Sequence, residues 1–224
     1  MYQLELARTG RVLFRIRKHN IYAIIAIGVV ISFFRSDLGP FSGATADRAW
    51  FWASLGVALI GATIRVVTSG FAAYGTSGKT KKAAEATELT TTGPYSLVRN
   101  PLYVGRIVNF TGLAMLTGSW AYGAIVFLLS LLVYERIAVF EEEFLTGKFG
   151  DEYRRWAGEV PALLPRLHGY VPAKYPFWWR RMIWREYKKF FQLASALILY
   201  DFARRHCVLP TDADDLIWYY AYGA

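Results

Sequence analysis

The chain reads as an all-α integral membrane protein, a helical bundle of about four transmembrane helices followed by interfacial or re-entrant C-terminal helices. Three observations predict this. Of 224 residues, 54% are hydrophobic and only 19% charged, with a mean hydropathy of +0.23. Uncharged runs recur at lengths near the roughly 20 residues that cross a hydrocarbon core of about 30 Å, and aromatic and basic residues gather at their ends. A soluble domain normally carries about 25% charge.

Residues 1–18 interleave Leu4, Leu6, Val12, Leu13, Phe14 and Ile16 with Arg8, Arg11, Arg15, Arg17 and Lys18, the composition of a basic amphipathic segment at a membrane interface. Residues 19–166 form the membrane core, with spans expected near 20–34, 49–68, 102–117 and 121–140. Lys18 and Arg35 can snorkel at the ends of the short first run. Ala44-Thr45-Ala46 resembles a cleavage site, but the first run is expected to be kept as a span rather than removed as a signal peptide. The second span begins with Trp50 and Trp52 at interface depth and holds Arg65 in its last turn. Gly75–Thr92 is a hydrophilic loop with a short helix expected across Lys81–Glu88.

Gly118-Ser119-Trp120 joins the third and fourth runs so tightly that the two helices must be antiparallel neighbours. Gly105, Gly112 and Gly123 are placed to let membrane helices approach closely. The fourth helix continues out of the bilayer through Glu135-Arg136 to about Leu145, because nothing interrupts it before Gly147. Residues 167–224 form an aromatic and basic interfacial extension. In it Trp178, Trp179 and Trp184 alternate with Arg180, Arg181, Arg185, Lys188 and Lys189, and Phe190–Leu199 is too short to cross comfortably.

Arg8, Arg11, Arg15, Arg17, Lys18, Lys79, Lys81, Lys82 and Arg99 lie on one side of the expected spans, and only Arg35 and Arg48 on the other. The positive-inside rule then makes the N-terminus and the Gly93–Gly105 segment cytoplasmic. The net charge of +9 fits such loops and contact with anionic lipid headgroups rather than nucleic acid. Cys207 is alone, and His19, His168 and His206 lack ligand spacing, so no metal site is expected. Glycine-rich nucleotide loops and a nucleophile elbow are absent.

Two polar segments carry the candidate chemistry. Asn100-Pro101 opens the third span, asparagine as a favoured N-cap and proline where its missing N–H is harmless. Gly93-Pro94 turns the chain just before it, Tyr95 and Tyr103 flank it, and Arg99 and Arg106 place guanidinium groups near a helix N-terminus, which attracts anions. At the far end of the hairpin, Glu141, Glu142 and Glu143 fan over about 200° of a helix, and Arg136 stands close enough in register to share a face with one of them. A carboxylate there can bind a cation, accept from a ribose or amine, or act as a base.

The pattern Gly93-Pro94-Tyr95-x-x-Val98-Arg99-Asn100-Pro101-x-Tyr103-x-Gly105, then Glu141-Glu142-Glu143-x-Leu145 with Phe149-Gly150-x-Glu152-Tyr153, and finally Val160-Pro161 with Pro165-Arg166, resembles the isoprenylcysteine carboxyl methyltransferase and phospholipid methyltransferase superfamily. The resemblance covers roughly residues 70–166. It implies S-adenosylmethionine as cofactor and methyl transfer at the cytoplasmic face to a membrane lipid or lipidated substrate. Both carboxylate O-methylation and phospholipid headgroup methylation remain open. By resemblance Tyr95, Arg99, Asn100, Pro101, Leu102, Tyr103 and Glu142 face the cofactor, and Arg136, Glu141 and Arg106 serve catalysis or acceptor orientation. Arg65 or Arg106 is expected to guide an anionic acceptor. The family usually has Arg-His-Pro; here Asn100 stands in the middle, able to donate and accept hydrogen bonds but not to become cationic. The alternatives are an NADPH-dependent enzyme similar to membrane sterol reductases, which carry a related Arg-His-Pro-x-Tyr segment, and a catalytically silent membrane scaffold.

Overall fold

The computed structural model describes residues 2–34, 39–73 and 87–207. Most of the helix expected across Lys81–Glu88, together with Arg35 and residues 208–224 of the extension, lies outside that set. The described residues form helices α1 (Tyr2–Ile16), α2 (Asn20–Phe33), α3 (Ala44–Phe71), α4 (Pro101–Met115), α5 (Trp120–Phe149), α6 (Asp151–Glu159) and α7 (Trp179–Cys207), with a short 3₁₀ turn at Gly93–Ser96 and no strand.

Small residues set the centre of the bundle. α3 and α4 run antiparallel with their backbones nearly touching, because the contact is built on Gly61, Gly105 and Gly112. A Cβ at Gly105 would lie 2.8 Å from the Gly61 carbonyl oxygen, and one at Gly112 would lie 2.8 Å from that of Ser54. Membrane helices lack a hydrophobic drive toward each other, so such close packing and interhelical hydrogen bonds hold them together. Here Asn109 donates its amide to the Ala58 carbonyl at 2.8 Å, and the Trp50 indole donates to the Met115 carbonyl at 2.9 Å. Gly105 and Gly112 thus make the close approaches expected of them, and Gly123 faces Met115.

The Gly118-Ser119 turn returns α5 along α4. Ser119 caps α5 by accepting the Tyr122 N–H at 3.2 Å, and the Tyr103 and Tyr134 rings stack 5.1 Å apart further along the pair. The 30 residues of α5 reach about 45 Å at 1.5 Å per residue, well beyond a hydrocarbon core of about 30 Å. That surplus carries Glu141 and Glu142 to the α4 N-terminus.

α1 and α2 form a broken pair, bent by 71° around Arg17–His19. α1 buries Phe14 against Phe140 of α5, ring centroids 5.5 Å apart, and Gly10 lets its backbone press on the Arg136 carbonyl. Among the described residues α3 and α5 are long and apolar enough to cross a membrane, and the bent α1–α2 pair makes a third if it is counted as one, against the four spans expected. α4, at 15 residues and about 22 Å, is short for a full crossing.

α7 is a single continuous helix laid against α2 and α3, burying Leu193, Ala196 and Tyr200 in the common core. The Tyr200 ring sits over Gly28, so close that a Cβ there would clash with it. Deeper along its contact with α3, Glu186 forms a buried pair with Arg65.

Replacing Gly112 by leucine wedges α3 from α4. Overpacking of this kind costs about 1–3 kcal/mol or more, so thermal unfolding in detergent shifts clearly downward. Gly147→Ala, at a position with nothing within 4 Å of the added carbon, leaves it unchanged or raises it slightly.

Candidate active site

The Gly93–Asn100 segment has almost no regular structure of its own, and a strap downstream of α6 holds it. Gly93, at φ +63°, starts the 3₁₀ turn and donates its N–H to the Val171 carbonyl at 2.8 Å. The Ser96 hydroxyl bridges the Gly93 carbonyl and the Val171 N–H, at 2.7 and 3.0 Å. Arg166 donates its backbone N–H to the Leu97 carbonyl at 3.0 Å and its Nε to that of Ser96 at 3.1 Å. Arg99 donates its N–H to the Pro161 carbonyl at 2.8 Å. The segments around Gly93–Asn100 and Val160–Arg166 are therefore one physical unit, a loop and the strap that satisfies its backbone.

Asn100 occupies the N-cap position of α4, and its carbonyl accepts from the Tyr103 and Val104 N–H groups at 3.0 and 3.1 Å. Its side chain, expected to cap the helix, does not. The amide instead donates to the Ala162 carbonyl at 3.2 Å and to Glu142 Oε1 at 3.3 Å. A carboxylate and a strap carbonyl both need a donor there, and the amide supplies two N–H groups. Arg99 approaches the other oxygen of the same carboxylate, 3.4 Å from Glu142 Oε2.

One position along α5, Glu141 lies beside Tyr103, and Arg17, in the turn after α1, lies within electrostatic reach of both. Tyr95 faces the same region from the loop. Burial, reinforced by the Glu141 charge, pushes its phenol up to about 12, so it stays a donor at neutral pH. Tyr153 of α6 is also pushed up, by burial and then by Glu142. The cluster thus offers two carboxylates, protonated phenols and a guanidinium whose Nε is buried without an acceptor.

The structure brings Tyr95, Arg99, Asn100, Tyr103, Glu141 and Glu142 to one end of the α4–α5 hairpin. Pro101 is buried at the helix start, and Leu102 contributes its carbonyl to Arg65 Nη1 at 3.1 Å. Arg106 lies one turn further along α4, about 6 Å from the Phe110 and Tyr134 rings. Arg136 is not drawn to the glutamates: it donates to the Leu132 carbonyl of its own helix at 3.0 Å.

Arg65 is occupied rather than free. Glu186 of α7 takes its Nε and Nη2 at 3.1 and 3.0 Å and accepts from Ser69 at 2.8 Å, with both charged side chains under a tenth exposed. Sequence reasoning missed this partner, although a signal exists: Glu186 is the one acid between Val160 and Tyr200, set among arginines and lysines. Arg17 and Tyr134 were missed as well, since their proximity depends on how α1 and α5 cross.

Residues 51–152 match the family described as phospholipid methyltransferase, and the match contains both the loop and the glutamates that the fold brings together. That segment, a little under half of the chain, is similar to the family. The nickel-cobalt-cadmium resistance protein NccN of Alcaligenes xylosoxydans xylosoxydans is 37% identical over 122 residues, 54% of each chain. The cobalt-zinc-cadmium resistance protein CzcN of Cupriavidus metallidurans is 32% identical over 143 residues, 63% of each chain. The protein-S-isoprenylcysteine O-methyltransferase of Schizosaccharomyces pombe is 32% identical over 79 residues, 35% of this chain and 34% of its own. The chain thus spans about half to three fifths of the length of the two metal-resistance relatives it matches. No solved structure gives a significant match.

Removing one member of a buried ion pair leaves the other uncompensated, at about 3–5 kcal/mol. Glu186→Gln therefore lowers the unfolding temperature in detergent sharply. The double variant Arg65→Met with Glu186→Met recovers much of that loss, because no orphan charge remains.

Proposed function

We propose that the protein is an S-adenosylmethionine-dependent methyltransferase acting on a lipid-borne acceptor at the cytoplasmic membrane face. The observation that carries this reading is the meeting of Arg99 and Asn100 with Glu142, two motifs 42 residues apart joined at 3.4 and 3.3 Å inside the family-matching segment. The positive-inside asymmetry supports the orientation.

The residues present fit the cofactor. The unsatisfied buried Nε of Arg99 is a donor suited to a carboxylate, such as the one on the methionine part. Glu141 and Glu142 are acceptors for ribose hydroxyls or an ammonium, and Tyr95 and Tyr103 provide phenol donors and ring faces. S-adenosylmethionine supplies, when bound, an electrophilic methyl group on a sulfonium. The chain's own contribution is position and exclusion of water: the loop and strap fix Tyr95 to Tyr103 against α5, and orientation of this kind is worth several kcal/mol, up to about 7–11 in favourable cases. An anionic acceptor needs no base. An amine acceptor does, and Glu141, beside Tyr103, stands nearest to that role. Asn100 takes the place of the family's histidine as a neutral tether between Glu142 and the strap.

Two of the relatives carry metal-resistance names. Among the described residues no group of three or more His, Cys, Asp or Glu is placed to hold a metal ion.

Calorimetric titration of the purified protein in detergent with S-adenosylmethionine tests the reading. Wild type binds, and Tyr103→Ala and Glu142→Ala each weaken binding about tenfold or more. Binding of NADPH in its place would turn the assignment to the reductase alternative. Binding of neither would leave the silent scaffold.

A further inference from the structure

The strap that holds the loop before α4 is built the wrong way round for a segment facing water. Across residues 160–173 the only charged side chain is Arg166. It is turned inward, donating Nε to the Ser96 carbonyl at 3.1 Å and Nη1 to the Glu159 carbonyl at 3.0 Å. The backbone groups of Pro161, Arg166 and Val171 are likewise spent on the loop, at Arg99, Leu97, Gly93 and Ser96. Outward the strap presents Leu164, Leu167, Tyr170 and Val171, which are 81%, 97%, 55% and 46% exposed. A single exposed apolar side chain is ordinary. Four within eight residues, on a segment whose one charge faces the protein, form a patch that a partner is expected to cover.

The course of the strap says what covers it. Past Val171 it reaches the C-terminal end of α3, where Trp178 donates its N–H to the Gly70 carbonyl at 3.1 Å and the Phe177 ring packs on Phe71, centroids 5.1 Å apart. The 28 residues of α3 span about 42 Å, more than a hydrocarbon core of about 30 Å, so that end emerges among the headgroups. Trp178, Trp179 and Arg180 are exposed at this point, and tryptophan beside basic side chains marks the same depth. At the strap's other end α6 exposes Asp151, Glu152, Arg154, Arg155 and Glu159, a surface for water. The strap therefore runs from a water-facing helix down to the membrane interface, with its apolar side outward.

We propose that the strap is a membrane-docking surface: Leu164, Leu167, Tyr170 and Val171 enter the headgroup–acyl boundary of the leaflet on the side of the α4 N-terminus, and this contact steadies the loop through Arg166. The partner is the bilayer surface itself, not a lipid taken up for reaction. The two leucines flank Arg166, whose backbone N–H and Nε hold the Leu97 and Ser96 carbonyls. Lifting them from the leaflet therefore loosens the loop's own hydrogen bonds, whether or not the loop binds a cofactor.

The test uses the full chain in nanodiscs of phosphatidylcholine and phosphatidylglycerol. Cys207, the only cysteine, is replaced by serine, and Leu164→Cys, Leu167→Cys and Glu152→Cys are each spin-labelled. Depth is read from collisions with oxygen, which concentrates in lipid, and with a water-soluble nickel chelate. Labels at the two leucine positions favour oxygen and lie roughly 5–10 Å into the boundary, while the label at the Glu152 position favours nickel. A second measurement needs no label. Leu164 and Leu167 are almost fully exposed, so Leu164→Ser with Leu167→Ser removes no internal packing. In the same nanodiscs that double variant speeds hydrogen exchange of the Gly93 and Arg99 N–H groups, which bond the strap, about tenfold. Three results overturn the proposal: nickel access at the leucine positions equal to that at Glu152; shielding from both reagents, the mark of a protein partner or second copy; or loop exchange indifferent to the double variant.

Discussion

The architecture of the site depends on one carboxylate. Glu142 stands on a helix that outreaches the bilayer, and its two oxygens are shared between Asn100 and Arg99 from the loop before α4. That contact closes the polar end of the α4–α5 hairpin. It also reaches the strap, because the same Asn100 amide bonds the Ala162 carbonyl. With each side chain about a fifth exposed, the pair is partly shielded from water and screened less than a surface ion pair. Everything assigned to the cofactor lies within this joint or next to it.

The second constraint is charge disposal. The chain carries a surplus of cations, and burying several near one helix end is costly unless they are shared among acceptors. The structure meets this unevenly: Glu186 is surrounded by donors from Arg65, Ser69 and Lys189, while Arg106 is left with aromatic neighbours. An intramembrane cation without a carboxylate is expensive to keep.

Much of the fold was legible in the sequence because its signals are local. Uncharged runs marked α3 and α5, the three-residue connection forced α4 and α5 together, and Gly105 and Gly112 marked the tight α3–α4 contact. The loop and the glutamates were found by motif, and their meeting followed from the hairpin. What escaped depended on long-range crossing. The α1 contact on α5 through Gly10 and Phe14, the pairing of Arg65 with a residue 121 positions away, and the strap's bonds to Ser96 and Arg99 have no periodic signature. Asn100 is the most instructive case. Its residue type and place before proline indicate a capping side chain, yet a nearby carboxylate and carbonyl outcompete the helix for its amide.

The most direct measurement of the central claim is an experimental structure of the full chain in lipid nanodiscs with S-adenosylhomocysteine. The account predicts ligand density enclosed by the Tyr95–Tyr103 segment, Glu141 and Glu142, with a carboxylate of the ligand at Arg99. Density at another end of the bundle, or an ordered Arg99–Glu142 joint with no ligand beside it at saturating concentration, would contradict it.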